Sequence, residues 1–235
     1  MKLLLISNST NACESYLQHA KGQIKSFLGK NRVKALFIPY AGVTISYKEY
    51  EAKVKDSFNE IGHDIRSIQS YPDPVKAVEA AEAIIVGGGN TFRLLQLIQY
   101  NNLIEPVGKR IMTGIPYIGW SAGANVACPT ICTTNDMPIV QPGSFSAFDL
   151  VPFQINPHYL DVHPEGHAGE TREMRIEEFI RINQEIYVVG LREGSMLIIE
   201  DSNIQLTGTK NARIFKYGQA PIEAGPGNDI QFLLQ

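Results

Sequence analysis

Gly119-Trp120-Ser121-Ala122-Gly123 fits the G-x-S-x-G pattern of a serine carried on a sharp strand-to-helix turn. An apolar stretch, 116–120, leads in, and small residues able to start a helix, 122–127, follow. Such a turn lifts the hydroxyl of Ser121 out of a sheet, and the flanking glycines leave room for a crowded backbone. The chemistry implied is nucleophilic acyl transfer, with the Ala122 N–H offered to a developing oxyanion. A second glycine motif, Gly87-Gly88-Gly89-Asn90-Thr91, follows the apolar stretch 83–86. It is not a phosphate loop, because no Gly-Lys-Ser/Thr follows. A dinucleotide fingerprint also fails, because Phe92 stands where the third glycine belongs. Gly88 or Gly89 is instead expected to supply the second oxyanion donor. Without chemistry, each motif reduces to a tight turn.

A serine nucleophile needs a base and a group to orient it. His158 follows an apolar stretch and the stiffening Pro157, so its ring is expected at a fixed loop edge. His19 and His63 fall in the predicted scaffold half, and His163 and His167 flank the turn-like Pro164-Glu165-Gly166. Two acids compete as orienter. Asp136 lies in Thr133-Thr134-Asn135-Asp136-Met137-Pro138, and Glu193 lies just past the apolar stretch 186–191. Parallel-sheet sites form at the carboxyl ends of strands, which favours Glu193, but the sequence leaves both open. A zinc site from His158, His163 and His167 with Asp161, Glu165 and Glu170 is the metal alternative. The i, i+4 spacing of His163 and His167 needs a helix that Pro164 and Gly166 oppose, and no H-E-x-x-H occurs. No metal or other cofactor is therefore expected.

The elements that must hold these groups alternate. Strands are predicted over 3–6, 33–39, 64–68, 83–86 and 116–120. Helices are predicted over 15–28, 47–61, 74–81, 91–100 and 103–113. That order specifies an α/β fold with a parallel sheet and right-handed crossovers. Residues 128–170 are rich in Pro, Gly, Asn and Asp and read as long functional loops with short strands. A helix over 171–183 follows, with Met174, Ile176, Phe179 and Ile180 on its apolar side. Strands over 186–191, 196–200, 204–206 and 214–216 close the chain. With no repeat or linker, residues 1–235 are expected to form a single domain.

Composition narrows the partners. The 235 residues are 44% hydrophobic and 19% charged, with a net charge of −3. That balance supports a real core and argues against disorder or a polyanion-binding, nucleic-acid-type surface. Three cysteines, Cys13, Cys128 and Cys132, make a disulfide framework improbable. The apolar N-terminal run is too short for a membrane span or a signal segment, so a soluble cytoplasmic protein is the default expectation.

Taken together, four strings resemble the peptidase E family. They are Gly87-Gly88-Gly89-Asn90-Thr91-Phe92, Tyr117-Ile118-Gly119-Trp120-Ser121-Ala122-Gly123-Ala124, Thr133-Thr134-Asn135-Asp136-Met137-Pro138-Ile139-Val140 and Gln154-Ile155-Asn156-Pro157-His158. Ser7-Asn8-Ser9-Thr10 and the run from Pro164 to Glu173 match as well, and the likeness extends from residue 1 to about residue 216. The resemblance implies a three-layer α/β/α fold with a mostly parallel central sheet, like that of class I glutamine amidotransferases. It implies a serine peptidase cleaving dipeptides with an N-terminal aspartate, with Ser121 as nucleophile and His158 as base. Residues matching Asp136 and Glu193 have both been regarded as the third catalytic member in that family. Arg172, in a matched motif near a helix start, becomes the cation for the aspartyl side chain, with Arg175 as the alternative. Arg192 departs from the pattern, where a proline is expected. The expected partner is a small peptide, and the oligomeric state is left open. An esterase or other acyl hydrolase on the same turn, and a non-catalytic binding module of the same fold, are the alternative functions.

Overall fold

The first strand shows why the sheet is covered on both faces. In β1 (Lys2–Ile6), Leu3 and Leu5 join one hydrophobic cluster, whereas Leu4 and Ile6 join another. Alternating side chains of a strand that is apolar from Leu3 to Ile6 must be buried on opposite sides. The computed structural model describes residues 1–162, 166 and 168–235. Parallel to β1 run β2 (Lys34–Ile38), β3 (Asp64–Ser67), β4 (Ile84–Val86) and β5 (Pro116–Trp120). The strands β8 (Ser195–Glu200) and β9 (Asn203–Gly208) extend the sheet antiparallel, giving the order β3-β2-β4-β5-β1-β8-β9.

Helices cover this sheet on both sides. On one face α1 (Lys21–Leu28) and α2 (Tyr47–Glu60) contribute Ile24, Phe27, Val54 and Phe58. On the other, α3 (Pro74–Glu79), α4 (Thr91–Tyr100) and α5 (Ile104–Met112) contribute Val78, Leu94, Leu95, Ile98, Val107 and Ile111. Three of these helices have starts written in the sequence. Ser46 and Glu49 form a capping box on α2, Asp73 caps α3 ahead of Pro74, and Asn90 caps α4. The result is the expected α/β/α layering with a mostly parallel sheet.

A second, four-stranded sheet carries part of the site. It contains β6 (Gln154–Pro157), β7 (Val188–Leu191), β10 (Ala212–Phe215) and β11 (Ile222–Ala224), in the order β11-β10-β7-β6. The terminal stretches 186–191 and 214–216 therefore do not close the main sheet. Ahead of it stands α6 (Ala122–Asn125), and α7 (Arg172–Ile182) packs on it through Ile176 and Ile180.

Three local expectations need correction. The helix predicted over 15–28 begins only at Lys21, because Leu17 adopts φ 56° and its N–H reaches Ser9 O at 2.6 Å. The stretch 122–127, read as able to start a helix, is helical only over its first four residues. Met174 lies half exposed rather than on the buried side of α7. Among the described residues no helix is long and apolar enough to cross a membrane.

Candidate active site

Ser121 sits at the carboxyl end of β5 with φ 52° and ψ −113°, a conformation costly for a side-chain-bearing residue. Contacts around it hold the strain in place. A Cβ on Gly119 would lie 2.2 Å from Gly123 O, and one on Gly123 would lie 2.1 Å from Val86 O. The turn is thus pressed backbone to backbone against itself and β4, so glycine is a steric requirement at both positions. In the neighbouring loop after β4, a Cβ on Gly88 would lie 3.1 Å from the Ser121 Cβ. Gly89 has φ 135°. Among the described residues nothing accepts from the N–H groups of Gly88, Gly89 or Ala122. Because α6 is so short, any oxyanion site here relies on individual amides rather than on a helix macrodipole.

His158 follows β6 and also has positive φ, 52°. Its Nε2 lies 2.8 Å from Ser121 Oγ, and its Nδ1 lies 2.8 Å from Glu193 Oε1. An ionised carboxylate only accepts, so Nδ1 carries the proton and Nε2 is left to accept from the Ser121 hydroxyl. Two residues past β1 hold this pair of segments together. The His158 N–H donates to Ser7 Oγ at 3.0 Å, and Ser7 Oγ donates to Leu191 O at 2.7 Å. The Gly194 N–H donates to Asn8 Oδ1 at 2.8 Å. Ser7 and Asn8 are fully buried. Reading types and spacing gave them no role; the signal was two small polar residues directly after a buried strand.

Asp136 goes elsewhere. Its Oδ2 accepts from Thr91 N at 2.7 Å, Thr91 Oγ1 at 2.6 Å and Thr134 Oγ1 at 3.2 Å, at the start of α4. Next to it, Asn135 Nδ2 donates to Pro157 O at 2.6 Å. Asn90 Nδ2 donates to Met137 O at 2.9 Å. This segment therefore ties the strand before His158 to the glycine loop.

Arg172 and Arg175 line a small cavity of about 150 Å³ with Asp136, Asn156 and Phe179. Burial and then Arg175 lower the Arg172 pKa, while Asp136 opposes them. The structure does not bring Arg172 to the walls of the Ser121 cleft. It stands in the adjoining cavity, where Asn156 is two residues from His158. Of the residues weighed for zinc, His163, Glu165 and His167 lie outside the described residues. Both His158 nitrogens are engaged, Asp161 pairs with Arg192, and Glu170 faces Arg175 at 3.6 Å.

The cleft at Ser121 has a volume of about 640 Å³ and is lined also by Tyr16, Tyr50, Lys53, Asn90 and Ile139. That is ample for a small ligand. Tyr50 lies in α2, and its hydroxyl donates to Gly88 O at 3.0 Å. The Trp120 indole donates to Tyr50 Oη at 3.2 Å.

The sequence model of peptidase family S51 matches residues 3–207. A Nostoc sp. relative named Peptidase E is 49% identical over 234 residues, covering 100% of this chain and 97% of that protein. A Salmonella newport relative of the same name is 48% identical, covering 96% and 99%. A crystal structure of a peptidase from an acI-B1 Actinobacterium superposes with a TM-score of 0.69 at 17% identity, covering 97% of this chain and 95% of that one, which establishes a shared fold.

Proposed function

The chain belongs to peptidase family S51 and is a serine-type peptidase, and from that premise we propose that it hydrolyses dipeptides with an N-terminal aspartate through an acyl-enzyme on Ser121. The observation that carries the reading is the unbroken chain Ser121–His158–Glu193, with both links at 2.8 Å. His158 Nε2 takes the hydroxyl proton as Ser121 Oγ bonds to the peptide carbonyl carbon. The carbonyl electron pair moves onto oxygen, where the N–H groups of Ala122 and of Gly88 or Gly89 receive it. The C–N bond then breaks, and Nε2 returns the proton to the leaving amine. Water, deprotonated by the same nitrogen, attacks the ester and restores Ser121. Glu193 orients the ring and stabilises its charged form. Asp136 braces the glycine loop against the strand bearing His158.

Arg172 supplies the charge for aspartate. Its guanidinium lines the cavity beside Asn156 and has no ion pair among the described residues. Ser121→Ala is expected to keep the fold and lower Asp-Leu turnover by about 10⁴-fold or more. Near-normal turnover would sink the proposal. A panel of Asp-X dipeptides, Ala-X dipeptides and simple esters separates this activity from a general acyl hydrolase. On that panel Arg172→Met should impair aspartyl substrates far more than alanyl ones; equal losses would assign Arg172 to structure.

A further inference from the structure

The Ser121 cleft contains a positive charge that the steps above do not use. Lys53 lies one helical turn beyond Tyr50 on α2 and is the one cationic side chain among the described residues lining the cleft. Its Nζ stands 4.2 Å from the centroid of the Tyr16 ring. The Tyr16 hydroxyl donates to Tyr50 Oη at 3.3 Å, and Tyr50 in turn holds Gly88 O. The ammonium is thus tethered, through two tyrosines, to the loop that faces the nucleophile. A ring face attracts a cation without neutralising it. Burial, then coupling to the neighbouring Tyr50 phenol, raises the Tyr16 pKa, so the phenol adds no opposing charge. No carboxylate lies within ion-pair distance of Lys53 among the described residues. The cleft therefore presents a lysine with donors free for an anion.

A dipeptide differs from a longer peptide at one place near the scissile bond: its leaving residue ends in an α-carboxylate. We propose that Lys53 binds this C-terminal carboxylate and so restricts hydrolysis to dipeptides. Each added residue carries the carboxylate about 3.5 Å further out, beyond a partner set for the shorter substrate. The inference rests on the hydrolytic reading of Ser121 but not on the aspartyl preference. Arg172 and Lys53 then divide the work, one reading the acyl residue and the other the leaving residue.

The test compares kcat/KM for Asp-Leu, Asp-Leu-amide and Ala-Leu in the wild type, Lys53→Met and Lys53→Arg. Lys53 is exposed, and circular dichroism checks that the variants fold. The wild type should prefer the free acid to its amide. Lys53→Met should lose about tenfold on Asp-Leu, mostly in KM, with the amide unaffected, and Lys53→Arg should recover most of the loss. An equal loss on acid and amide, or no loss on either, overturns the assignment. So does a variant that loses only its preference for Asp-Leu over Ala-Leu, since Lys53 would then be reading the aspartyl side chain. A wild type that cleaves Ala-Leu as well as Asp-Leu defeats the aspartyl specificity, while the acid–amide comparison still decides Lys53. A wild type that cleaves none of the three defeats the hydrolytic reading and this inference with it.

Discussion

Glu193 and Asp136 differ in what surrounds their oxygens. One Glu193 oxygen meets the His158 ring, whereas one Asp136 oxygen takes three donors from Thr91 and Thr134. Glu193→Gln removes the charge that stabilises the imidazolium and offers an amide that can favour the wrong tautomer. It should lower kcat by about 100-fold, with little change in stability. Asp136→Asn keeps the volume but turns one acceptor into a donor at a helix start. It should lower stability by about 1 kcal/mol and kcat by less than about tenfold. Steady-state kinetics and urea unfolding on both variants give the answer, and a larger kcat loss in Asp136→Asn would reverse the roles. Ser121 and His158 were legible because strand–turn context and a preceding proline mark such residues locally. The choice between the acids was not, since the aim of a side chain depends on contacts distant in the chain. The positive φ of His158 was hidden for the same reason: the Ser7 hydroxyl that holds its N–H comes from 151 residues away.

At the scale of elements, Arg192 joins segments that carry the site. Its guanidinium meets Asp161, three residues past His158, with Nε at 2.8 Å. It also meets Glu223 of β11 at 2.9 Å and Asn211 O at 2.9 Å. Glu223 in turn pairs with Arg213, whose Nε lies 3.0 Å from Glu173 of α7. One ion network therefore joins the segment after His158, the turn bearing Glu193 and the helix bearing Arg172. Arg192 holds Asp161 and Glu223 below the usual carboxylate range. Arg192→Met should lower the thermal midpoint by a few degrees, and kcat severalfold, while KM changes little. Unchanged kcat and midpoint together would reduce the network to surface decoration. The alternating first half was readable because buried parallel strands and capped helices leave local marks. The second sheet was not, because its strands are short and β6 and β7 pair although residues 158–187 separate them in the chain.

For the whole molecule, the first loss of stability on acidification is expected from the scaffold half. The His63 side chain is buried, and the Val33 N–H donates to its Nδ1 at 3.3 Å, which requires an unprotonated nitrogen there. Burial, then Lys25, lowers the His63 pKa; burial also lowers that of His19, with Glu14 opposing. A histidine held neutral in the fold titrates nearer its ordinary value, 6.5, once the chain unfolds. Below that pH the unfolded state binds more protons than the folded one, so stability falls as pH falls. The slope reaches at most about 1.4 kcal/mol per pH unit for each histidine and ends below the lowered, folded-state pKa. The depressed carboxylates of Asp161 and Glu223 add their own loss only as the pH drops through their lower range, so the histidine effect comes first. Urea midpoints should therefore decline between about pH 6.5 and about pH 5. His63→Asn, which keeps an acceptor for the Val33 N–H without a titrating ring, should flatten the decline. Equal wild-type midpoints at both ends of that window would show that the two rings take up protons in the fold as they do in the unfolded chain, and the neutral-core account would fail.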